Sequence, residues 1–474
     1  MLNHQITRRE FLKLAATASA AAAGTVRLRA QSESVPGRVR AWQTTKEQKF
    51  APLESPPEWK PWRGVSPLGV HLDPGTRYQE VLGFGGAFTD ASCYLFNLME
   101  AAPRKALIED LYGSKGLRMS VGRTCIGSSD YSTKVYSFDD SLEPDPELKH
   151  FTIAHDRRWI LPTLREARQV NPDLFLFSSP WSPPGWMKAN RSMLGGSMRK
   201  HYFAPYAQYF VRFLQDYAAA GVKIQAVTVQ NEVDTDQDGR MPAALWGQEY
   251  EIAFVKDHLG PALDHAGLDT KIWILDHNYN LWGRAVDELS DPGVYKRVDG
   301  VAWHGYAGTP DAMRRVQQMF PARHAYWTEG GPDITSPTYA TDWAQWSHTF
   351  AQILRNRARC LVCWNLLLDQ KGQPNIGPFS CGGLVTLNSK TQQLTRSGQY
   401  WAYAHYSKVI ERGARILASW GDVKGVDHVA AENPDGSRVL VLTNSGMEQH
   451  VQCTLASRAL NLALPPDSIT TLVW

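Results

Sequence analysis

The 474-residue chain has little of several things, and each scarcity narrows what it can be. It has only six cysteines, Cys93, Cys125, Cys360, Cys363, Cys381 and Cys453. They are too few and too scattered to staple a chain of this length, which excludes a disulfide scaffold. Cys360-Leu361-Val362-Cys363 has the spacing of a redox motif, but it lies in an apolar, strand-like run whose positions three apart face opposite ways. A structural role is expected for both thiols. No spacing of His, Cys and Asp matches a zinc or calcium site, and no cofactor is implied. Nowhere does the chain reach the roughly 18 apolar residues in a row that a membrane span needs. Excess charge is missing too: the net is +3, of which residues 1–30 carry +4, leaving −1 on the remainder. That balance gives no basic surface for a nucleic-acid partner. With 43% hydrophobic and 20% charged residues, the chain is not a disordered one either.

The basic residues of the first 30 positions are concentrated in Thr7-Arg8-Arg9-Glu10-Phe11-Leu12-Lys13 and precede a weakly apolar, Ala-rich run from Leu14 to Val26. Paired arginines ahead of such a run resemble a twin-arginine export signal, with Leu28-Arg29-Ala30 as a cleavage site. A periplasmic or secreted protein is therefore expected.

From about Gln79 the pattern alternates between short apolar, β-branched runs and segments of 3.6 periodicity. The expected strands are Glu80–Ala87, Gly116–Arg123, Leu174–Pro180, Ile224–Asn231, Lys271–Asp276, Gly300–His304, His324–Thr328 and Cys360–Asn365. Helices are expected over Arg157–Val170, Tyr202–Ala219, Ala243–Ala266 and Asp342–Arg357, with Asp342 as an N-cap. Eight strand–helix units favour a (β/α)8 barrel over a doubly wound sheet, since no Gly-x-Gly-x-x-Gly fingerprint follows a strand. Beyond about Ser407, alternating runs at Val426–Glu432, Arg438–Thr443, His450–Leu455 and Ile469–Val473, punctuated by Asn433-Pro434-Asp435-Gly436, read as an antiparallel β-sandwich. Residues 38–50 alternate similarly and precede a Pro-rich linker. The expected organisation is a leader (1–30), an N-terminal β segment and linker (31–75), a barrel (76–406) and a C-terminal β-domain (407–474), with both ends of the chain building the small domain.

In a barrel the chemistry collects where strands end. The fourth expected strand runs into Asn231-Glu232 and the seventh into Thr328-Glu329. Two rim carboxyl groups without metal ligands suit glycoside hydrolysis, which needs one protonated and one ionised carboxyl flanking the scissile bond. A non-catalytic carbohydrate-binding barrel is the reading from another class. Seventeen tryptophans are many, and Trp181, Trp186, Trp303, Trp327 and Trp364 sit at expected strand ends, where indole faces stack well on sugar rings; each could equally be core. Asp90 could accept from sugar hydroxyls or cap a helix. Asp130 could do the same or form an Asx-turn.

These residues stand in blocks similar to those of glycoside hydrolase family 30, and the chain most resembles its glucosylceramidase-like branch. The blocks are Gly83-Phe84-Gly85-Gly86-Ala87-Phe88-Thr89-Asp90-Ala91, Ser179-Pro180-Trp181-Ser182-Pro183-Pro184-Gly185-Trp186-Met187-Lys188, Val227-Thr228-Val229-Gln230-Asn231-Glu232 and His405-Tyr406-Ser407-Lys408-Val409-Ile410. The resemblance spans Val81 to Trp474. It implies a (β/α)8 barrel with a side β-domain made from both termini. Glu232 would be the acid/base and Glu329 the nucleophile of a retaining β-glycosidase. Asn231 would hold the sugar 2-hydroxyl, and Asp130, Trp181 and Trp364, with Asp90 nearby, would grip the sugar. His304 and Tyr306 would line the site beside the nucleophile, and Arg118 would pair with it. Glu232 would hold its proton more tightly than Glu329, through proximity to that ionised neighbour. The substrate implied is a β-glucoside, glucosylceramide first, with β-1,6-glucan or a xyloside as the alternative. Val233 replaces the family's usual Pro after the acid/base, and Asp234–Arg240 diverges, which leaves the aglycone side open.

Overall fold

In the computed structural model, which describes residues 37–64 and 69–474, eight parallel strands close into a barrel. In chain order they are β1 (Gly83–Phe88), β2 (Val121–Cys125), β3 (Phe175–Ser179), β4 (Ala226–Thr228), β5 (Lys271–Asn278), β6 (Val298–His304), β7 (His324–Glu329) and β8 (Ala358–Cys363). β8 pairs back onto β1, with Cys360 opposite Gly83 and Cys363 opposite Gly86, so the sheet has no free edge. The expected leader lies outside the described residues. Among those that are described, no helix is long and apolar enough to cross a membrane.

The lumen is filled in layers set by the two-residue period of a strand. Val121, Phe177, Ala226, Trp273, Ala302, Tyr326, Cys360 and Val362 form an apolar layer toward the strands' N-terminal ends. Trp273 and Tyr326 stack there at 3.9 Å. Two residues further along, the same strands present Arg123, Ser179, Thr228, His304 and Thr328, all buried. A polar layer therefore rests on an apolar floor. β5 breaks the count: Leu275 and Asp276 take φ of 70° and 46°, and its register with β6 slips between Ala302 and Trp303. This bulge turns Asp276, three residues past Trp273, into the polar layer. Gly85 is needed where β1 passes its neighbour, because a Cβ there would meet the Val121 carbonyl oxygen at 1.6 Å.

Seven of the eight strands begin within three residues of expectation, and β2 is the departure. Residues after the helix Ala101–Tyr112 are used to close it, with Leu117 N–H donating to Asp110 O at 2.7 Å, so β2 begins only at Val121. The expected helix Ala243–Ala266 is Gln248–Phe254, a π turn over Val255–Leu259, and Gly260–His265. Pro261 lacks an N–H and its ring crowds the preceding turn, which forces the wider winding. Asp342 precedes its helix but makes no capping bond; its carboxyl accepts from Trp346 Nε1 at 3.1 Å instead.

A second, ten-stranded sheet forms the side domain. Arg40–Thr44, near the N-terminus, pairs antiparallel with Ser468–Val473, Arg40 standing opposite Val473. Gly69–Glu80 lies between Arg415–Trp420 and Gln449–Leu455, so this N-terminal piece reaches residue 80 rather than 75. Arg415–Trp420 and Arg458–Leu464 are strands beyond those expected. The first has three consecutive buried residues and no alternation, which hides it. His405, on the helix Gly398–Ser407, joins the two ends of the chain, with its ring nitrogens 2.8 Å from both Thr471 Oγ1 and Thr44 Oγ1. Burial pushes its pKa down to about 3, so the joint is neutral. All six cysteines are free thiols; Cys360 faces the lumen and Cys363 the helices, as the strand period requires.

Candidate active site

The loops at the C-terminal ends of the strands enclose a cavity of about 580 Å³. Asp130, Trp181, Asn231, Glu232, Tyr306, Glu329 and Trp364 all line it. Trp181 and Tyr306 stand one strand period above Ser179 and His304, so the rim continues the layering below. Trp181 and Trp364 stack at 5.0 Å and 17°, forming one aromatic wall. Trp186, Trp303 and Trp327, the other three expected platforms, are buried away from the cavity. Trp186 Nε1 donates to Asp139, and Trp303 and Trp327 belong to the apolar layer between barrel and helices.

Arg123 stands beneath this wall, fully buried, its guanidinium carbon 4.7 Å from the Trp181 ring centre. One of its amino groups bonds Glu329 Oε2. The other donates to Asn231 Oδ1 and Asp276 Oδ2, each at 2.8 Å, and Nε donates to Ser179 Oγ at 3.2 Å. Glu329 Oε1 accepts from Tyr306 OH at 3.0 Å. The candidate nucleophile is thus held by one donor on each oxygen. Tyr306 is positioned in turn by Asn278 Oδ1, which accepts the Tyr306 and Ala307 N–H groups at 3.0 and 3.2 Å.

Arg118 does not pair with Glu329. It lies in the turn before β2, at the other end of the barrel, where it bonds Glu411 at 3.0 Å. The late start of β2 separates the two arginines: Arg118 precedes the strand, whereas Arg123 lies on it and points into the lumen. Asp90 is likewise apart from the cavity. Thr89 caps the helix Asp90–Leu98, and the Asp90 carboxyl accepts from Thr133 and Trp159 and meets His155 Nε2 at 2.9 Å. It braces a loop and is not positioned to hold a sugar. Asp130 does face the cavity. Its Oδ1 is buried with no partner in the protein, and burial together with the charges of Glu329 and Glu232 pushes its pKa well above the carboxylate range. A neutral carboxyl at that place can donate a hydrogen bond as well as accept one.

Glu232 takes φ of 55°, a left-handed conformation costly for a residue with a side chain. The turn is pinned by Asn231 N–H on Pro180 O at 2.8 Å and Glu232 N–H on Asp276 O at 3.0 Å. Its Oε2 accepts from Gln237 Nε2 at 3.1 Å, while Oε1 lies 3.3 Å from His304 Nδ1. His304 is buried under the cavity and bridges Glu232 to Asp276, whose Oδ1 is 3.0 Å from Nε2. Burial would lower the His304 pKa, but the Glu329 charge and the bonds to Asp276 and Glu232 raise it to about 9. Asp276 is held well below the ordinary range: burial opposes ionisation, but Arg123, His304 and Thr328 outweigh it. Glu232 departs from expectation. Burial raises its pKa, yet the His304 bond and the charges of His277, His304 and Arg123 carry it below the glutamate value.

Arg123, Asp276, His277 and Gln237 were not among the expected site residues. For two of them a signal was present, since Arg123 and Asp276 are the last residues of expected strands.

The glycosyl hydrolase family 30 TIM-barrel model matches residues 81–410, and the family's β-sandwich model matches residues 413–472. An endo-1,6-β-D-glucanase of Neurospora crassa is 36% identical over 396 residues, covering 80% of this chain and 81% of its own. A putative glucosylceramidase of Caenorhabditis elegans is 31% identical, covering 85% and 83%. Among solved structures, an endo-β1,6-glucanase superposes with a TM-score of 0.83 at 28% identity, over 92% of this chain and 99% of its own.

Proposed function

We propose that this chain, which belongs to glycosyl hydrolase family 30, hydrolyses β-1,6-glucosidic bonds with retention of configuration. Its fold, its two rim glutamates and its family make it a glycosidase; the linkage and stereochemistry are our reading. Glu329, ionised and fixed by Arg123 and Tyr306, attacks the anomeric carbon while Glu232 delivers a proton to the leaving oxygen. A glycosyl-enzyme forms, and Glu232 then takes a proton from the water that releases the sugar. Because His304 lies on Glu232 Oε1, the proton for the leaving oxygen belongs to the Glu232–His304 pair rather than to Glu232 alone. Asn231, turned by Arg123, keeps its amide nitrogen as a donor for a sugar hydroxyl. Neutral Asp130 can donate to another.

The observation that carries the linkage is the set of polar side chains interspersed with the aromatic and apolar ones that line the cavity. Thr235, Gln237, Asn278, Asp333 and Ser380 line the cavity, and their side chains can exchange hydrogen bonds with the hydroxyl groups of a sugar leaving group. The similarity to endo-1,6-β-glucanases supports the same choice, so glucosylceramide, the first substrate suggested by the sequence, becomes the second reading; the similarity to glucosylceramidases favours it. The test is to supply β-1,6-gluco-oligosaccharides, β-1,3-gluco-oligosaccharides, xylo-oligosaccharides and detergent-dispersed glucosylceramide, and to follow the first product anomer by proton NMR. The expected result is highest kcat/KM on the β-1,6-linked series, with the β-anomer appearing first. Preference for glucosylceramide, or an α-anomer as first product, would overturn the proposal.

A further inference from the structure

The histidines around Glu232 are arranged as ligands. Each imidazole is held from behind by a carboxyl group: Asp234 Oδ1 lies 2.5 Å from His277 Nε2, and Asp276 Oδ1 lies 3.0 Å from His304 Nε2. Both Nδ1 atoms then face one oxygen, since Glu232 Oε1 is 3.7 Å from His277 Nδ1 and 3.3 Å from His304 Nδ1. His277 is only 5% exposed, and its Nδ1 has no hydrogen-bond partner. Ligand atoms of the three residues lie within 4.8 Å of one another.

Two imidazole nitrogens and one carboxylate oxygen are a zinc donor set. A carboxylate on the far nitrogen of each ring is the support that fixes a metal-binding histidine in the right tautomer and orientation. Glu232 and His277 line the cavity, so a fourth coordination position opens onto it. No linear motif announces this set, because Glu232 follows β4, His277 is aimed by the bulge in β5, and His304 ends β6. We propose that Glu232, His277 and His304 bind a zinc ion, and that its occupancy stops hydrolysis by engaging the carboxyl group that serves the leaving oxygen. The site is independent of the functional reading, whereas the inhibition rests on Glu232 being the acid/base. Magnesium and calcium, which seek all-oxygen sites, have no comparable donor set here.

The test is calorimetric titration of the full chain with zinc chloride, for wild type, His277→Ala and Asp234→Asn, beside hydrolysis of a fluorogenic β-glucoside in zinc or magnesium. Asp234 is partly exposed (43%) and removed from the core, so its variant keeps the test sound if His277→Ala folds poorly by circular dichroism. The expected outcome is one wild-type site, weakened about 10–100-fold by Asp234→Asn as outer-shell losses are and lost in His277→Ala. Inhibition should follow zinc and not magnesium, and a chelator should reverse it. Zinc bound equally by all three proteins would overturn the site. Zinc bound in a His277-dependent way without inhibition would uphold the site and count against Glu232 as acid/base.

Discussion

Two lysine substitutions, made one at a time, separate the arginine that serves the nucleophile from the one suggested by the sequence. Arg123 is fully buried and its guanidinium reaches Ser179, Glu329, Asn231 and Asp276 together. A lysine ammonium keeps the charge but has no planar fork, so it cannot span Glu329 and Asp276 while also turning Asn231. One lost bond to a buried carboxylate costs about 1.5–3 kcal/mol. Leaving that carboxylate partly unpaired brings the loss for Arg123→Lys to about 3–5 kcal/mol. At about 1.4 kcal/mol per factor of ten, a loss of 3–4 kcal/mol in the transition state lowers kcat/KM by roughly 10²–10³. Arg118 differs: its side chain and that of Glu411 are each 39% exposed. Such a pair is worth about 0–1 kcal/mol, so Arg118→Lys should leave kcat/KM within about threefold. Urea unfolding and steady-state kinetics on an aryl β-glucoside read both quantities. An Arg118→Lys enzyme as impaired as Arg123→Lys, or an Arg123→Lys enzyme within threefold of wild type, would refute the reasoning.

Glu232→Ala should lower kcat/KM on a sugar leaving group by about 10²–10⁴, the usual worth of a general acid, while sparing an activated aryl leaving group, with azide restoring rate; equal loss on both would exclude Glu232 as the acid. Asp156 is buried against Tyr136 and Tyr217, and burial lifts its pKa to about 7. Below its unfolded pKa of about 3.9 the group is protonated in both states; from there to about 7 the unfolded chain binds fewer protons and stability falls with pH, then levels off. Asp156→Asn should therefore gain about 2–3 kcal/mol more at pH 8 than at pH 5, measured by urea unfolding, and an equal gain at both would contradict the assignment. Replacing Arg8 and Arg9 together by lysine should hold the protein in the cytoplasm of an expressing bacterium if the leader is a twin-arginine signal; unchanged export, read by cell fractionation, would sink that reading.

Much of the barrel was legible because strand and helix periods are local. Short apolar runs bounded by turn residues mark strands wherever both faces are covered. The failures have local causes as well. Pro261 broke one helix into three segments, and the tail closing the helix Ala101–Tyr112 delayed β2. Arg415–Trp420 was hidden because three of its consecutive residues are buried, against the usual alternation.

The candidate site divides along the same line. Glu232 and Glu329 could be picked out from the chain alone, because each follows an apolar strand directly and a barrel puts strand ends at its active face. Strand ends alone did not tell Trp181 and Trp364 from Trp186, Trp303 and Trp327, since the five differ only in which neighbour their indole meets; the family resemblance singled out the two that line the cavity. His304 was named through the family resemblance and Arg123 and Asp276 stood at expected strand ends, but their joining into one charge network was beyond reach for a similar reason. Arg123, Asp276, His277 and His304 lie on three different strands, and a bulge at Leu275–Asp276 sets which of the β5 residues face inward. Periodicity along one strand carries the order of elements and the carboxyl groups at their ends. The direction of a side chain in a closed lumen depends on how every strand registers with its neighbours, and the folded barrel alone decides that.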